Sequence, residues 1–501
     1  MREGMPELLN LAETGQQDFL VFDRVDGACK LTGGAIAAAL FDLVQDPVKF
    51  KKLGSILRIE LHGAKVAIFS VRRCRITCIF VVHMPSEQPR KRLLAIIGGG
   101  AAGFFAAITA ARQDPSAQVV ILEKSSRVLA KVRISGGGRC NVTHACFDPA
   151  LLTGFYPRGG KELRQVFSRF QPRDTVSWFE REGVRLKAEE DGRMFPDTDQ
   201  SETIVRCLEE AAQHAGVVVR KQSAVLAINP DPNGGMVLQL ADGSLRADKV
   251  LVASGGMPSA SGFAWLKDVG HAIQDPVPSL FTFNLPQDPL TGLPGLVVDP
   301  AEVKLIGTKF KETGPVLVTH WGLSGPAILR LSARAARELA AVHYRQEILI
   351  NWLPGQNEQQ LREIFSANRH QFGTRMLRSH TFEGLPKRMW EYLLVCCEIP
   401  EQATWSELKS TEIQRLCDKL LRDRHLLNGK TTFKDEFVTC GGVKLKEVDF
   451  RTMESRLVPG LYFAGEVLDI DGLTGGFNFQ AAWSTGFIAG KSMAESSSAL
   501  H

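Results

Sequence analysis

The sequence predicts an α/β fold in which a parallel-sheet nucleotide-binding domain is built from both ends of the chain around a β-barrel-like plus helical insert. Three observations predict it. An apolar run, Leu93 to Ile97, leads into Gly98-Gly99-Gly100-Ala101-Ala102-Gly103 and an alanine-rich segment. A second apolar strand, Gly460 to Ala464, leads into another glycine-rich loop and an Ala/Gly-rich segment near the C-terminus. Between about 283 and 434 the pattern differs, with Pro and Gly punctuating short apolar runs.

Bulk properties set the class. The chain has 501 residues, 44% hydrophobic and 23% charged, enough for more than one domain and a large core. That is too apolar for a disordered chain and too charged for a membrane bundle. A net charge of +5 from 60 basic and 55 acidic residues is weak over this length. It implies no nucleic acid by itself and leaves room for a local basic patch. No run approaches the ~18 uninterrupted apolar residues of a membrane span. The ten cysteines show no paired CxxC or Cys/His cluster. With no secretory signal, they read as reduced thiols of a cytoplasmic protein.

Residues 1–92 read as an N-terminal extension. They hold apolar patches (Ala35 to Phe41, Val66 to Val71) and a run at Cys78 to Val82 that suits a buried strand, but no motif tied to chemistry. The basic, Pro-containing stretch from Met84 to Arg92 reads as a linker, or as the natural start of a shorter protein at Met84.

The first part of the nucleotide domain is placed at 93–282. Leu93 to Ile97 is a strand buried on both faces, followed by a helix to Ala111 that Asp114-Pro115 ends. Val119 to Leu122 is the next strand and closes with Glu123, completing a βαβ unit. Residues 161–215 read as mostly helical. Val217 to Val219 reads as a short strand. Val225 to Ile228, Met236 to Leu240 and Asp242-Gly243 read as a small antiparallel sheet. Lys249 to Ala253 returns to the core and stops at Ser254-Gly255-Gly256. The insert, 283–434, combines short strands (Leu296 to Val298, Val316 to Val318, Ile348 to Ile350) with amphipathic segments near 357–367 and 405–425. The second part of the nucleotide domain is 435–495, and Ser496 to Ser498 reads as a frayed end.

The strongest motif is Gly98-x-Gly100-x-x-Gly103. The first glycine permits a tight turn, the second lets backbone approach a pyrophosphate, and the third lets helix pack on strand. The helix then offers free N–H groups and a positive dipole end to phosphates. Glu123 lies 20 residues beyond Gly103, placed to accept from a ribose diol; an acid there disfavours a 2′-phosphate. Ala101, Ala102 and Lys124 complete this part of the candidate set. The bland alternative, a ligand-free glycine turn, does not account for strand, helix and acid together.

Ser135-Gly136-Gly137-Gly138-Arg139-Cys140-Asn141 is the second motif. Three consecutive glycines are costly in chain entropy and make sense where backbone lies against a flat ligand. Arg139 and Asn141 bring donors. Cys140 reads as a small packing residue rather than a redox thiol, since no resolving cysteine adjoins it. Lys131, Ser254 and Gly255 join the candidates. The third motif is Gly465-Glu466-Val467-Leu468-Asp469, then Gly475-Gly476-Phe477-Asn478. An acid ending a core strand, followed by a glycine loop that opens a helix, suits a ribitol chain and a flavin whose N1 and O2 gain negative charge on reduction. Either Glu466 or Asp469 reads equally as a capping acid.

These motifs, with Asp191-Gly192-Arg193-Met194-Phe195-Pro196 and Thr319-His320-Trp321-Gly322-Leu323-Ser324-Gly325-Pro326, resemble the BaiN-type family of NAD(P)/FAD-dependent oxidoreductases over roughly 93–490. The resemblance implies a Rossmann-like FAD-binding domain in two parts. It implies FAD near Gly98, Gly100, Gly103, Glu123, Gly137, Arg139, Asn141, Gly465, Glu466, Gly476 and Asn478. For some members it implies reduction of a C=C bond in an enone-like, bile-acid-type substrate, and for others an amine-oxidase activity.

His320 is the candidate acid/base, because imidazole titrates near neutrality; equally, it suits a histidine that bonds its own turn. Ser324 has no nucleophile partner and reads as a turn or cap residue. No second GxGxxG follows a strand, so either NAD(P)H as electron donor docks transiently over the flavin, or the enzyme reoxidises with oxygen or another acceptor. Three functions compete: an NAD(P)H-fed reductase of a hydrophobic unsaturated small molecule, an oxygen-using oxidase of a small amine, and a flavin-dependent RNA-modifying protein. The last would show a basic face on the insert from Arg330, Arg334, Arg337, Arg345, Arg369, Arg375, Arg378, Lys387 and Arg388. Nucleic acid is disfavoured because charge runs are usually solvated faces.

Overall fold

The computed structural model describes residues 18–22, 57–61, 64–68, 78–83, 91–431 and 438–495. The chain divides at Lys91 and Arg92 into two units. Within the first, Asp18–Phe22, Leu57–Leu61, Ala64–Ile68 and Cys78–His83 form a four-stranded sheet in which Cys78–His83 pairs antiparallel with Asp18–Phe22 and Ala64–Ile68. The stretch 84–90 lies outside the described residues, as do Ala35 to Phe41 and Ser496 to Ser498.

The second unit is built on a seven-stranded sheet. Its strands run in the order Val218–Arg220, Gln118–Leu122, Leu93–Ile97, Lys249–Val252, Leu461–Phe463, Glu454–Ser455, Val448–Asp449. The first five are parallel and the last two join antiparallel. All five residues of Leu93–Ile97 are buried, as a central parallel strand covered on both faces demands. The strand from the C-terminal part therefore pairs directly with one from the N-terminal part. The two Rossmann helices, Ala101–Gln113 and Phe477–Ala494, pack together so closely that a Cβ on Gly490 would stand 2.3 Å from the Ala106 carbonyl oxygen.

The segment from 161 to 215 differs in part from expectation. Helices Gly160–Phe167, Pro172–Arg181 and Ser201–His214 are present, but the strands Leu186–Ala188 and Arg193–Pro196 interrupt them. Phe195 and its neighbours bury against the glycine motif there, and that tertiary contact decides the local structure. The sheet of Val225–Pro230, Met236–Leu240 and Gly243–Ala247 forms as its alternation predicts.

The insert has its own apolar core, including Trp352, Trp390 and Trp405. Its antiparallel sheet runs Asp423–Asn428, Arg345–Asn351, Val297–Leu305, Lys311–Thr319, Gly322–Ser324, Thr282–Asn284, Lys430–Thr431. The first and last strands are one continuous stretch of chain. Gly429 between them accepts from Asn284 N–H and donates to Tyr344 O, so the sheet curls into a barrel. Helices Glu358–Phe372, Lys387–Cys396 and Ser410–Arg422 complete it; the first carries a capping box, Asn357 with Gln360. Ser324 is the last residue of a short strand rather than a turn residue.

A two-stranded ribbon, Ile273–Ser279 with Val438–Val443, carries the chain out to the insert and back. Ion pairs flank it. Arg158 pairs with the fully buried Asp471, which also accepts from Ser279 Oγ (2.7 Å), while Arg158 Nη1 donates to Ala333 O (2.6 Å). Arg337 of the insert holds both oxygens of Asp469 (2.6 and 2.7 Å).

Candidate cofactor and active site

The three glycine motifs converge at the carboxyl ends of the parallel strands, where ligands of open α/β sheets sit. Gly98 has φ +110, and a Cβ there would stand 2.4 Å from Ala253 O. A Cβ on Gly103 would stand 2.0 Å from Gly98 O. Both are glycine for reasons internal to the fold. Gly100 differs: a Cβ there meets nothing within 4 Å, and the same holds at Gly137, Gly138 and Gly255. Their open faces leave room for a ligand to lie against backbone. Ala101 and Ala102 begin the helix, whose first turn has no side-chain cap, so its N–H groups remain for phosphate.

Glu123 follows the second strand. Its Oε2 accepts from Gly99 N–H (2.7 Å), and its Oε1 accepts from Ser125 N–H and Oγ (both 2.8 Å). The carboxylate thus sits beside the glycine turn, while Lys124 is exposed.

Lys131 and Glu466 come from motifs at opposite ends of the domain and meet at 2.7 Å. Glu466 Oε1 also accepts from Thr439 N–H (2.8 Å), which ties the ribbon to this pair. Thr439 Oγ1 and Ser254 Oγ are buried with no hydrogen-bond partner. Such hydroxyls are costly to leave unmet. Thr439 Oγ1 shares a polar corner with Glu466, since a Cβ on Gly256 would come 2.5 Å from Thr439 Oγ1 and 2.9 Å from Glu466 Oε1. Open glycine backbone, orphaned hydroxyls and a helix N-terminus fit a dinucleotide such as FAD. Thr439 was missed from sequence; the adjacent Gly441-Gly442 pair was its available signal.

Other candidates hold the frame. In the Ser135 to Gly138 turn, Gly136 and Gly137 are left-handed (φ +58, +66). Arg139 stacks over Phe195 (4.0 Å) and pairs with Glu189 and Asp199 (both 2.6 Å). Burial pushes the Cys140 thiol up to about 12, so at neutral pH it is a protonated packing residue. With its amide oriented to satisfy both ends, Asn141 accepts from Gly476 N–H and donates to Thr143 O (both 3.0 Å). Asn478 closes the loop on itself through Gly472 N–H (2.8 Å) and Gly472 O (3.0 Å). Gly475 lies in this loop with φ +127. Gly465 donates to Thr485 Oγ1 (2.9 Å). Asp469 faces the insert, bound to Arg337.

Phe477 opens the C-terminal helix and stacks on Phe155 (4.3 Å) and His144 (4.7 Å), forming an aromatic wall beside Gly475. Burial lowers the His144 pKa, so its ring is neutral near pH 7. Neither ring partner was anticipated, because nothing in sequence spacing links 144, 155 and 477.

His320 is exposed at the turn between Lys311–Thr319 and Gly322–Ser324. Beside it, Trp321 Nε1 donates to Thr282 Oγ1 (3.2 Å). The structure does not bring His320 into hydrogen-bond contact with any of the glycine motifs.

A Ser455–His271–Glu447 chain (3.0 and 3.1 Å) has hydrolase-like connectivity. Ser455 Oγ, however, is buried and accepts from Leu457 and Val458 N–H, so it caps a turn. Of these nine basic residues on the insert, several are ion-paired: Glu312 binds Arg330 and Arg334, Asp469 binds Arg337, and Glu401 binds Arg378. No helix among the described residues is long and apolar enough to cross a membrane.

Comparison with known proteins adds the following. The HI0933-like protein Rossmann domain matches residues 92–492. The chain is 31% identical over 414 residues to a 3-dehydro-bile acid delta(4,6)-reductase of Clostridium scindens, covering 80% of this chain and 99% of that protein. It is 31% identical over 388 residues to a ribosomal RNA dihydrouridine synthase of Escherichia coli, covering 75% and 92%. Among solved structures it is similar to a 3-ketosteroid delta1-dehydrogenase from Sterolibacterium denitrificans, at 12% identity and a TM-score of 0.46, covering 80% of this chain and 99% of that one.

Proposed function

The chain belongs to the HI0933-like Rossmann-domain family and is an FAD-dependent oxidoreductase, and from that premise we propose that it reduces a C=C bond conjugated to a carbonyl. The preferred acceptor is a hydrophobic, enone-like small molecule, with NAD(P)H as transient electron donor. One observation carries this reading: the similarity to a 3-dehydro-bile acid reductase extends over 99% of that protein. A second relative's name denotes the same bond chemistry, since dihydrouridine is uridine with its carbonyl-conjugated ring double bond saturated.

Bound FAD would supply a two-electron carrier able to pass hydride to the carbon β to the carbonyl. Gly100 and the start of Ala101–Gln113 would hold the pyrophosphate, Glu123 a ribose, and Lys131, Glu466, Ser254 and Thr439 the polar part of the middle of the cofactor. The wall of His144, Phe155 and Phe477 suits a planar conjugated ring and excludes water from it. His320 is the candidate to deliver the proton to the α carbon; its place on the insert would allow this when the insert covers the site.

A second reading, reduction of a uridine in RNA, is favoured by the dihydrouridine synthase relative. The ion-paired state of much of the insert's basic set weighs against it. The test is anaerobic mixing of the FAD-loaded protein with NADH or NADPH. Rapid bleaching of the flavin by either supports the reductase reading. No bleaching by both, with FAD bound stoichiometrically, overturns the nicotinamide-fed reading and favours an amine oxidase.

A further inference from the structure

We infer that His144 meets the flavin itself: its Nδ1 accepts the N3–H at the imide edge of the isoalloxazine ring. The inference rests on the reading that the flavin ring lies at the C-terminal glycine loop. His144 lies outside all three glycine motifs.

The imidazole is held from several sides. Its strand, Thr143–His144, pairs with Arg193–Pro196 and sets His144 opposite Arg193. Thr143 Oγ1 donates to Gln480 Oε1 (2.5 Å), which fastens the strand to the C-terminal helix. The ring stacks on Phe477 at 4.7 Å and 22°, and its Nε2 stands 3.1 Å from Asp191 O. A carbonyl only accepts, so Nε2 carries the proton. Burial lowers the imidazole pKa, outweighing the carbonyl and the carboxylate of Asp191, so the ring holds a single proton near pH 7. Nδ1 therefore offers a lone pair. It is buried and no protein group donates to it. An acceptor left unmet in the interior is costly. The Asp191-Gly192 turn keeps side chains away from that edge: a Cβ on Gly192 (φ +83) would stand 2.5 Å from His144 Cε1 and 3.2 Å from Nδ1. One residue of the turn fixes the tautomer, and the next leaves the acceptor without a protein partner.

The glycine loop identifies the donor. Gly475 borders the imidazole, since a Cβ there would stand 3.6 Å from His144 Cδ2. Gly476, the next residue, is the N-cap of Phe477–Ala494 and donates its N–H to Asn141. This helix has no side-chain cap. Its first-turn N–H groups suit the flavin O2, where negative charge develops on reduction. On the isoalloxazine ring N3–H adjoins C2=O, and it is the one N–H that the oxidised ring carries. A flavin with O2 at the helix start therefore presents its sole ring donor next to O2, where the orphaned acceptor of His144 stands. Phe155 and Phe477 offer a face and no hydrogen bond, so His144 is the member of the wall that reads the edge of the ring.

The test compares FAD with 3-methyl-FAD, in which a methyl group replaces the N3 hydrogen. Affinity for each is measured by equilibrium dialysis on the full chain stripped of flavin, independently of any turnover. The variants are His144→Phe, which keeps a stacking ring, and His144→Leu, which guards against misfolding of the first; each is accepted only with cooperative unfolding like that of wild type. Wild type is expected to bind FAD at least about fivefold tighter than 3-methyl-FAD, the worth of one neutral hydrogen bond. Both variants should lose that preference by weakening FAD, with 3-methyl-FAD held within about twofold of its wild-type affinity. Equal binding of the two flavins by wild type overturns the inference even where neither variant folds. A preference that survives in the variants gives N3–H a different partner and also overturns it. A wild-type chain that takes up neither flavin overturns the cofactor placement, and the inference with it.

Discussion

Lys131 and Glu466 stand 2.7 Å apart although 335 residues separate them in the chain. The pair joins the first half of the nucleotide domain to the second, and through Thr439 N–H it reaches the ribbon that carries the insert. Glu466→Ala removes both anchors. It is expected to weaken FAD binding about tenfold or more and to speed hydrogen exchange at the Thr439 amide. Equilibrium dialysis against FAD and exchange mass spectrometry of the apo protein check the two effects separately.

Gly103 and Gly100 predict opposite phenotypes from the same substitution. Gly103→Ala places a methyl 2.0 Å from Gly98 O, a backbone clash expected to cost about 3 kcal/mol or more and to prevent folding. Gly100→Ala meets no protein atom within 4 Å, and its backbone (φ −94) suits alanine. Apo stability should fall by no more than about 1 kcal/mol, while FAD affinity drops because the methyl occupies the space left for the ligand. Thermal melts with and without FAD separate the two.

The buried pair Arg158–Asp471 is expected to be worth more broken than removed. Arg158→Ala leaves a carboxylate fully buried without its cation, at a cost of about 3–5 kcal/mol. The double variant with Asp471→Ala should lose less than the sum of the single variants, as chemical denaturation of all three will show.

His425 in the insert lies 2.7 Å from Asp288 and 3.0 Å from Asp423. Burial alone would lower its pKa, but the two carboxylates outweigh it and raise it from 6.5 to about 9. A raised imidazole pKa stabilises the fold fully below about 6.5, and the contribution is lost as pH rises through about 9. Its size is on the order of 3 kcal/mol. The difference in melting temperature between wild type and His425→Leu should therefore shrink between those pH values; a constant difference would show that the two carboxylates do not raise the imidazole pKa in the folded state.

Much of this was legible in the sequence, because the glycine motifs encode backbone geometry locally. Gly98, Gly100 and Gly103 sit where their spacing demands, and Leu93 to Ile97 reads as a fully buried strand because a central parallel strand has no solvent face. What was not legible depends on contacts distant in sequence. Arg193–Pro196 is a strand because Phe195 packs against the glycine motif and under Arg139. The stacking of Phe477 on Phe155 and His144 has no local pattern. Asn141 and Asn478 each also secure the glycine loop, a use of a short amide that sequence spacing does not reveal.

The central claim is that the enzyme saturates an activated C=C bond. The most direct measurement is anaerobic: the FAD-loaded protein is reduced chemically, then mixed with a 3-oxo-Δ4 steroid acid or a uridine-containing RNA while flavin absorbance is followed and the acceptor is weighed by mass spectrometry. The account predicts that the flavin reoxidises with one acceptor, which gains two hydrogens in step. Reduced flavin that persists with both acceptors, and reoxidises only when oxygen is admitted, would contradict it.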